Sequence, residues 1–254
     1  MSISDVSRQS PPGTVDVQTR ADFLSNGFAR LERFVDDDDF AVIGEAYDRM
    51  FDPDNPDAPA KKQLGGRDED GRAALPQVLA PLEVEPCLTE LPYFERARRA
   101  AKVLLGDDAE LRGSHAILKP AGYGIATPWH QDQAYHDPAI AYTNVNFWIP
   151  LDDVDVAGGC MQYVAGSHLG RVVVPHQYLD PDDDSTAMVA QDQGYWSANA
   201  QALPCRRGDC ALHHSYCLHY AGPNHSGVDR RALILVFGRP KVERERAWVF
   251  PWRA

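Results

Sequence analysis

Several kinds of signal are scarce in this 254-residue chain. It has five cysteines, an odd number with no CxxC pair, so neither a disulfide framework nor a cysteine zinc site is indicated. No apolar run approaches the roughly 20 residues of a membrane-spanning helix, and the opening MSISDVSRQSPPGTVDVQTR contains no apolar signal core. Basic excess is also missing. Lys and Arg total 25 against 37 Asp and Glu, a net charge of −12, which argues against nucleic-acid and anionic-membrane partners that need a basic face. A reducing, cytoplasmic setting and a small-molecule partner are the expectation. Nothing in the sequence specifies an oligomeric state.

What is present is enough for a substantial core, since 44% of the residues are hydrophobic and 9% aromatic. No linker-like stretch or internal repeat divides residues 1–254, so one domain is expected. Residues 1–17 read as a loose leader. Thr19 and Asp22 suggest a capping-box-like start for a short helix carrying Phe23, Leu24 and Phe28. In 37–51 the acids at the start and the helical spacing of Phe40, Ile43, Tyr47, Met50 and Phe51 predict a second helix. PYFERARRAAKVLLG predicts a third, with Pro92 in its first turn and Gly106 past its end. Between these, residues 52–80 are rich in Pro, Gly and Asp and lack periodicity. They form a candidate lid that includes Arg67, Arg72 and Gln77.

From about residue 107 the pattern changes to short β-branched and aromatic segments broken by Gly and Pro: SHAILKP, TNVNFWIPL, GCMQYVAGS, GDCALHH, RALILVFG. Period-2 alternation with regular turn signals indicates an antiparallel sandwich or jelly roll. The expected fold is therefore mainly β, with N-terminal helices over residues 18–106 and the β core over 107–254.

The chemistry concentrates in ATPWHQDQAYHDP, where His130 and Asp132 are two residues apart. Positions i and i+2 of a strand share a face, so an imidazole and a carboxylate can converge on one ion. The same pair also suits a plain strand end. A third donor, His219, closes a strand-like run before Gly222 and Pro223. Two histidines and one carboxylate make the facial triad of non-haem iron(II) oxygenases, with three adjacent positions left for a bidentate 2-oxo acid and O2. Eleven residues on, Arg230 opens RRALILVFG, where a guanidinium can grip a distal carboxylate in a two-pronged pair of hydrogen bonds.

The motifs WHQD, NFWIPLDDVDVAGGCMQYVAGSH, LHYAGPN and RRALIL follow one another in an order that resembles the phytanoyl-CoA dioxygenase family of Fe(II)/2-oxoglutarate-dependent oxygenases. GFARLERFV and the helix ending in LLG extend the resemblance over most of the chain. It implies a double-stranded β-helix, a jelly-roll-like barrel with helices packed outside. It also implies that His130, Asp132 and His219 bind Fe(2+), that Arg230 binds the C5 carboxylate of 2-oxoglutarate, and that O2 is consumed with release of succinate and CO2. Arg231 should face the other side of its strand. Trp148 occupies a position beside the cosubstrate, although a buried core aromatic is an equal reading. Lys119 aligns with a lysine of the KP segment, either at the cosubstrate or at a strand end. Relatives often carry a serine two residues after the distal histidine, where this chain has Ala221. Halogenating relatives replace the carboxylate with a small residue, so Asp132 favours hydroxylation or a related oxidation.

Further candidates for the substrate pocket are Tyr135, His136, Met161, His214 and Gln77. His213 and His214 should point to opposite faces of one strand. Gln131 should face away from the metal, Gly158, Gly159 and Gly166 should permit turns, and His115, His168, His176 and His225 are not expected as ligands. Two other functions use the same residues: a metal-dependent hydrolase or isomerase on the same barrel, and a non-catalytic protein that binds a metal or small ligand. The family name does not imply phytanoyl-CoA as substrate, and no evident basic patch suits an acyl-CoA.

Overall fold

The structure is a computed structural model and describes residues 11–63 and 72–253. The chain runs through α1 (Val17–Asn26), β1 (Phe28–Leu31), α2 (Asp37–Phe51), β2 (Lys62–Gln63), β3 (Pro76–Leu79), α3 (Pro81–Val84) and α4 (Pro92–Leu105). There follow β4 (Glu110–Lys119), β5 (Thr127–His130), β6 (Ile140–Ala141), β7 (Asn144–Pro150), β8 (Met161–Val164), β9 (His176–Asp180) and β10 (Asp183–Ala190). The last elements are α5 (Gln193–Ala198), β11 (Ala200–Leu203), β12 (Cys210–His214), β13 (His219–Ala221), β14 (Arg230–Gly238) and β15 (Val242–Glu243).

A seven-stranded sheet in the order β1-β12-β7-β14-β4-β3-β2 faces a four-stranded sheet in the order β11-β8-β13-β5. All their pairings are antiparallel. This is the expected jelly-roll core, with a cavity between the sheets. The outer face of the large sheet is covered by helices. α2 contributes Phe40, Ile43, Tyr47 and Met50, and α4 contributes Tyr93, Phe94, Ala97, Ala101 and Leu104. These pack on Phe147, Ile149, Leu212, Leu233 and Leu235, the outward half of the strand alternation. Truncating a buried ring such as Phe94 to alanine costs about 3–5 kcal/mol.

α2 and α4 occupy the predicted positions, the latter with Pro92 in its first turn and Gly106 at its C-cap. The start of α1 differs. Asp16 is the N-cap and accepts a 2.7 Å hydrogen bond from the Thr19 backbone N–H, so Thr19 is a capped position and not the cap. The segment before it is not uniformly loose, because Gly13 is buried and its N–H donates to the Glu32 carbonyl. Residues 1–10 lie outside the described residues.

The stretch 52–80 is also corrected in part. Its described ends form β2 and β3, with Lys62 opposite Gln77, and β3 pairs with β4 at the edge of the large sheet. Buried Leu75 and Val78 pack this edge against the barrel, so part of the stretch that composition marks as a candidate lid is sheet. Arg67 lies outside the described residues. Arg72 stacks its guanidinium 4.2 Å from the Tyr123 ring centre and does not reach the cavity.

Gly159 shows why one expected turn needs glycine: its φ is +77°, and a Cβ there would collide with the Gly222 carbonyl oxygen. Among the described residues no helix is long and apolar enough to cross a membrane.

Candidate active site

Three donor atoms converge where β5 and β13 pair. His130 and His219 are direct cross-strand partners. Asp132 follows Gln131, whose extended backbone (φ −119°, ψ 132°) returns the carboxylate to the face of His130 just as the chain enters a 3-10 turn. Asp132 Oδ1 lies 3.7 Å from His130 Nε2 and 3.6 Å from His219 Nε2. All three donors sit within 4.8 Å of one another.

Each imidazole is aimed by its other nitrogen. His130 Nδ1 meets the Pro128 carbonyl at 2.8 Å, and His219 Nδ1 meets the Cys217 carbonyl at 2.9 Å. A carbonyl can only accept, so Nδ1 carries the proton and Nε2 presents a lone pair. Burial, joined for His130 by the adjacent His219, pushes both histidines down to about 4, so they are neutral at ordinary pH. Burial alone would raise the Asp132 carboxyl, but His219, the hydrogen bond from His213 and the nearby His130 outweigh it and hold it well below the usual carboxylate range. Two neutral imidazoles and a carboxylate are the protonation states a divalent metal requires, and the donor set suits Fe(2+).

Gln131, between the ligand candidates, faces away as expected. Its amide donates to the Val172 and Tyr216 carbonyls and accepts from the Val174 N–H. Arg230 starts β14 and is 4% exposed, yet its Nε and Nη1 have no hydrogen-bond partner. Its guanidinium lies 5.5 Å from the Trp148 ring centre. Burial pushes it down to about 10, so it remains a cation. A buried cation with empty donors fits an anionic ligand, and the fork of Nε and Nη groups matches a carboxylate.

The sequence model of the phytanoyl-CoA dioxygenase (PhyH) family matches residues 23–232. The chain belongs to the phytanoyl-CoA dioxygenase family. Within this fold it is similar to EvdO2 from Micromonospora carbonacea var. aurantiaca, a crystal structure also solved in complex with 2-oxoglutarate. The identity is 35% and the TM-score 0.83, covering 96% of this chain and 99% of that one. It is 26% identical to a probable alpha-ketoglutarate-dependent hypophosphite dioxygenase of Stutzerimonas stutzeri, over 86% of this chain and 77% of that protein. It is 24% identical to an ectoine dioxygenase of Bordetella parapertussis, over 84% and 71% respectively.

The cavity opens between the two sheets, and its volume is about 400 Å³. Of the residues expected at this site, Gln77, Tyr135, His136, Trp148, Met161 and Arg230 line it with the three donor residues. Tyr135 stands edge-on to His130 at 5.9 Å, and its hydroxyl accepts from the Met188 N–H at 2.7 Å. The His136 ring packs at a tilt against Tyr142, with ring centres 4.3 Å apart. Burial pushes the His136 imidazole down, so it is uncharged.

One expectation fails and another takes its second form. Lys119 is the strand-end residue of β4, fully buried opposite Arg230 and not among the cavity-lining residues, and it donates from Nζ to the carbonyls of Ala221 (2.8 Å) and Gly222 (2.6 Å). It braces the turn after His219, because a buried ammonium stem needs acceptors and the carbonyls of that turn supply them. His214 does not line the cavity. It faces Phe23 and His168 on the other side of β12, while its neighbour His213 takes the inward position opposite Asn146. Strand alternation correctly separates the two histidines, but only the pairing of β12 with β7 fixes which one is inward.

Arg231 faces outward as expected, held by Asp152 at 3.1 and 2.8 Å and by Asp48 at 3.4 Å. Sequence reasoning missed Asn146, which donates to Asp132 Oδ2 at 2.6 Å. The signal was present, since Asn146 sits two residues before Trp148 on one strand face. His115 and Ile117 also line the cavity from β4.

Proposed function

We propose that this family member is a Fe(2+)- and 2-oxoglutarate-dependent dioxygenase that oxidises a small, uncharged organic molecule, with conversion of 2-oxoglutarate and O2 to succinate and CO2. The observation that carries this reading is Arg230: a buried guanidinium with two unpartnered nitrogens beside a two-histidine, one-carboxylate cluster. His130, Asp132 and His219 would hold the iron, Arg230 would hold the far carboxylate of 2-oxoglutarate, and Trp148 would flank it. The iron, when bound, supplies the activation of O2.

The chain's own contribution is binding, orientation and exclusion of water. The Pro128 and Cys217 carbonyls fix the imidazoles, Asn146 fixes the carboxylate, and the apolar walls built by Ile117, Ile234 and Val236 keep the reacting centre dry. Asp132 supplies a carboxylate where halogenating relatives have a small residue, which supports hydroxylation or a related oxidation over halogenation.

The substrate class follows from charge. Besides Asp132 and Arg230, the ionised side chain at the described cavity wall is Lys62, exposed at the rim. Burial keeps His115 and His136 neutral, and Gln77 and Thr127 offer uncharged hydrogen bonds among aliphatic walls. Such a chamber suits a neutral molecule with hydroxyl or carbonyl groups and an apolar face, and it offers no cluster of cations for an acyl-CoA. Free cysteines at all five positions suit a reducing compartment, and we place the protein in the cytoplasm as a single oxygenase domain.

The test is iron- and oxygen-dependent succinate formation from 2-oxoglutarate, abolished in His130→Ala and Asp132→Ala. Wild-type turnover in both variants would refute the ligand assignment. A hydrolase or isomerase would ignore 2-oxoglutarate, and a non-catalytic binder would take up metal and 2-oxoglutarate without forming succinate.

A further inference from the structure

The two oxygens of Asp132 have different surroundings. Oδ1 faces His130 and His219. Oδ2 accepts from Asn146 Nδ2 at 2.6 Å and lies 3.5 Å from His213 Nε2. Asn146 and His213 are directly opposite one another on β7 and β12, so one cross-strand pair forms a two-sided cradle around that single oxygen. Both are buried, at 6% and 4% exposure.

The His213 ring is itself held. Its Nδ1 lies 3.2 Å from the hydroxyl of Tyr163, a fully buried residue on β8, and its ring centre is 4.4 Å from that of His219. Asp132 Oδ2 can only accept, so the His213 Nε2 that faces it carries a proton. In the neutral ring Nδ1 is then an acceptor, and the Tyr163 hydroxyl donates to it. Tyr163, His213 and Asp132 thus form a chain whose donor–acceptor directions follow from the carboxylate at its end.

We propose that His213 is a positioning residue: with Asn146 it occupies Asp132 Oδ2, so that the carboxylate binds the metal through Oδ1 alone and the remaining coordination positions stay available to cosubstrate and O2. This inference rests on the assignment of His130, Asp132 and His219 as the metal ligands. His213 is not a fourth member of that donor cluster. Its effect runs through Asp132, as outer hydrogen bonds to metal-bound carboxylates commonly do.

The experiment uses the full chain loaded with Co(II), read by metal titration and by the visible ligand-field spectrum, with circular dichroism to confirm folding. His213→Phe keeps an aromatic ring against His219 but removes the donor. It is expected to weaken Co(II) binding by about 10- to 100-fold, the range for outer-shell groups, and to shift the spectrum as Oδ2 becomes free to coordinate. His213→Gln restores a donor and should recover most of the affinity and the wild-type spectrum. Tyr163→Phe leaves the imidazole in place but frees its tautomer, and should give a smaller loss.

A folded His213→Phe with wild-type affinity and spectrum would overturn the proposal, as would a His213→Gln no better than His213→Phe. If His213→Phe does not fold, Tyr163→Phe decides: an unchanged affinity and spectrum overturns it. Asp132→Ala separates the two levels. Wild-type Co(II) affinity in that variant, or no Co(II) binding by the native protein, removes the ligand assignment itself. Loss in Asp132→Ala with none in His213→Phe removes only the cradle.

Discussion

The outer and inner faces of the seven-stranded sheet treat identical side chains in opposite ways. On the outer face Arg231 is paired with Asp152 and Asp48, and Arg96 of α4 reaches the Phe34 carbonyl, Asp36 and Asp39. On the inner face Arg230, one residue away from Arg231, is more deeply buried and leaves Nε and Nη1 bare. The histidines repeat the contrast. Outward His214 is packed among Phe23, His168 and Tyr216, whereas inward His213 joins His130 and His219 of the facing four-stranded sheet around one carboxylate. Desolvation penalises a buried polar group without partners. Tyr93 Oη and His168 Nδ1 also lack partners away from the cavity, so what sets Arg230 apart is that it is a buried cation at the cavity wall beside the donor cluster.

The sharpest break of that contrast is Asp132→Ala. It should lower Fe(2+) affinity by more than about 100-fold, beyond the 10- to 100-fold range of outer-shell changes, and succinate formation should disappear with it. Next, Arg230→Met and Arg231→Met should diverge although they are neighbours. Losing a buried charge-assisted partner costs about 3 kcal/mol, so Arg230→Met should raise the 2-oxoglutarate KM roughly 100-fold. Arg231→Met should leave KM near wild type and change stability by less than about 1 kcal/mol, as partly exposed ion pairs do. Equal KM effects in steady-state kinetics would contradict the difference between the faces.

A third prediction concerns pH and two buried histidines outside the donor cluster. Burial pushes His214 down to about 3 and His176 down to about 4. The unfolded chain therefore binds protons that the folded one refuses. Stability is complete above about pH 6.5 and falls as pH drops from there toward the folded values, by up to about 1.4 kcal/mol per unit for each histidine. Urea unfolding at pH 7 and pH 5 should differ by on the order of 2 kcal/mol from His214 alone, and His214→Gln should flatten that slope whatever it does to stability at pH 7. The smallest effect is expected at Ala221, which lines the cavity. Ala221→Ser adds a hydroxyl near the cosubstrate position, and one net hydrogen bond of about 1 kcal/mol should lower the 2-oxoglutarate KM about fivefold.

Much of the site was legible because it is local or periodic. The two-residue spacing of His130 and Asp132 survives the turn that follows, because Gln131 is extended. The opposition of Arg230 and Arg231 follows from strand alternation. α2 and α4 carried their own start, stop and apolar spacing. What was not legible depends on pairings far apart in sequence. Lys119 stands at a strand end, one of its two expected places, but the partners of its Nζ, carbonyls just over 100 residues away, could not be read from spacing. The Pro- and Gly-rich segment after α2 reads as a candidate lid because composition does not reveal that β3 pairs with β4 and β2 with β3.

By itself the sequence determined the succession of helices and strands, the triad candidates and the arginine that follows them, because those rest on local spacing and chain order. Only the tertiary structure decided that His213 is inward, that His214 is outward, and that Asn146 completes the grip on Asp132. A strand's alternation fixes which residues share a face, but which face looks into the cavity is set by register against its neighbour, and for β12 that neighbour lies more than 60 residues earlier in the chain.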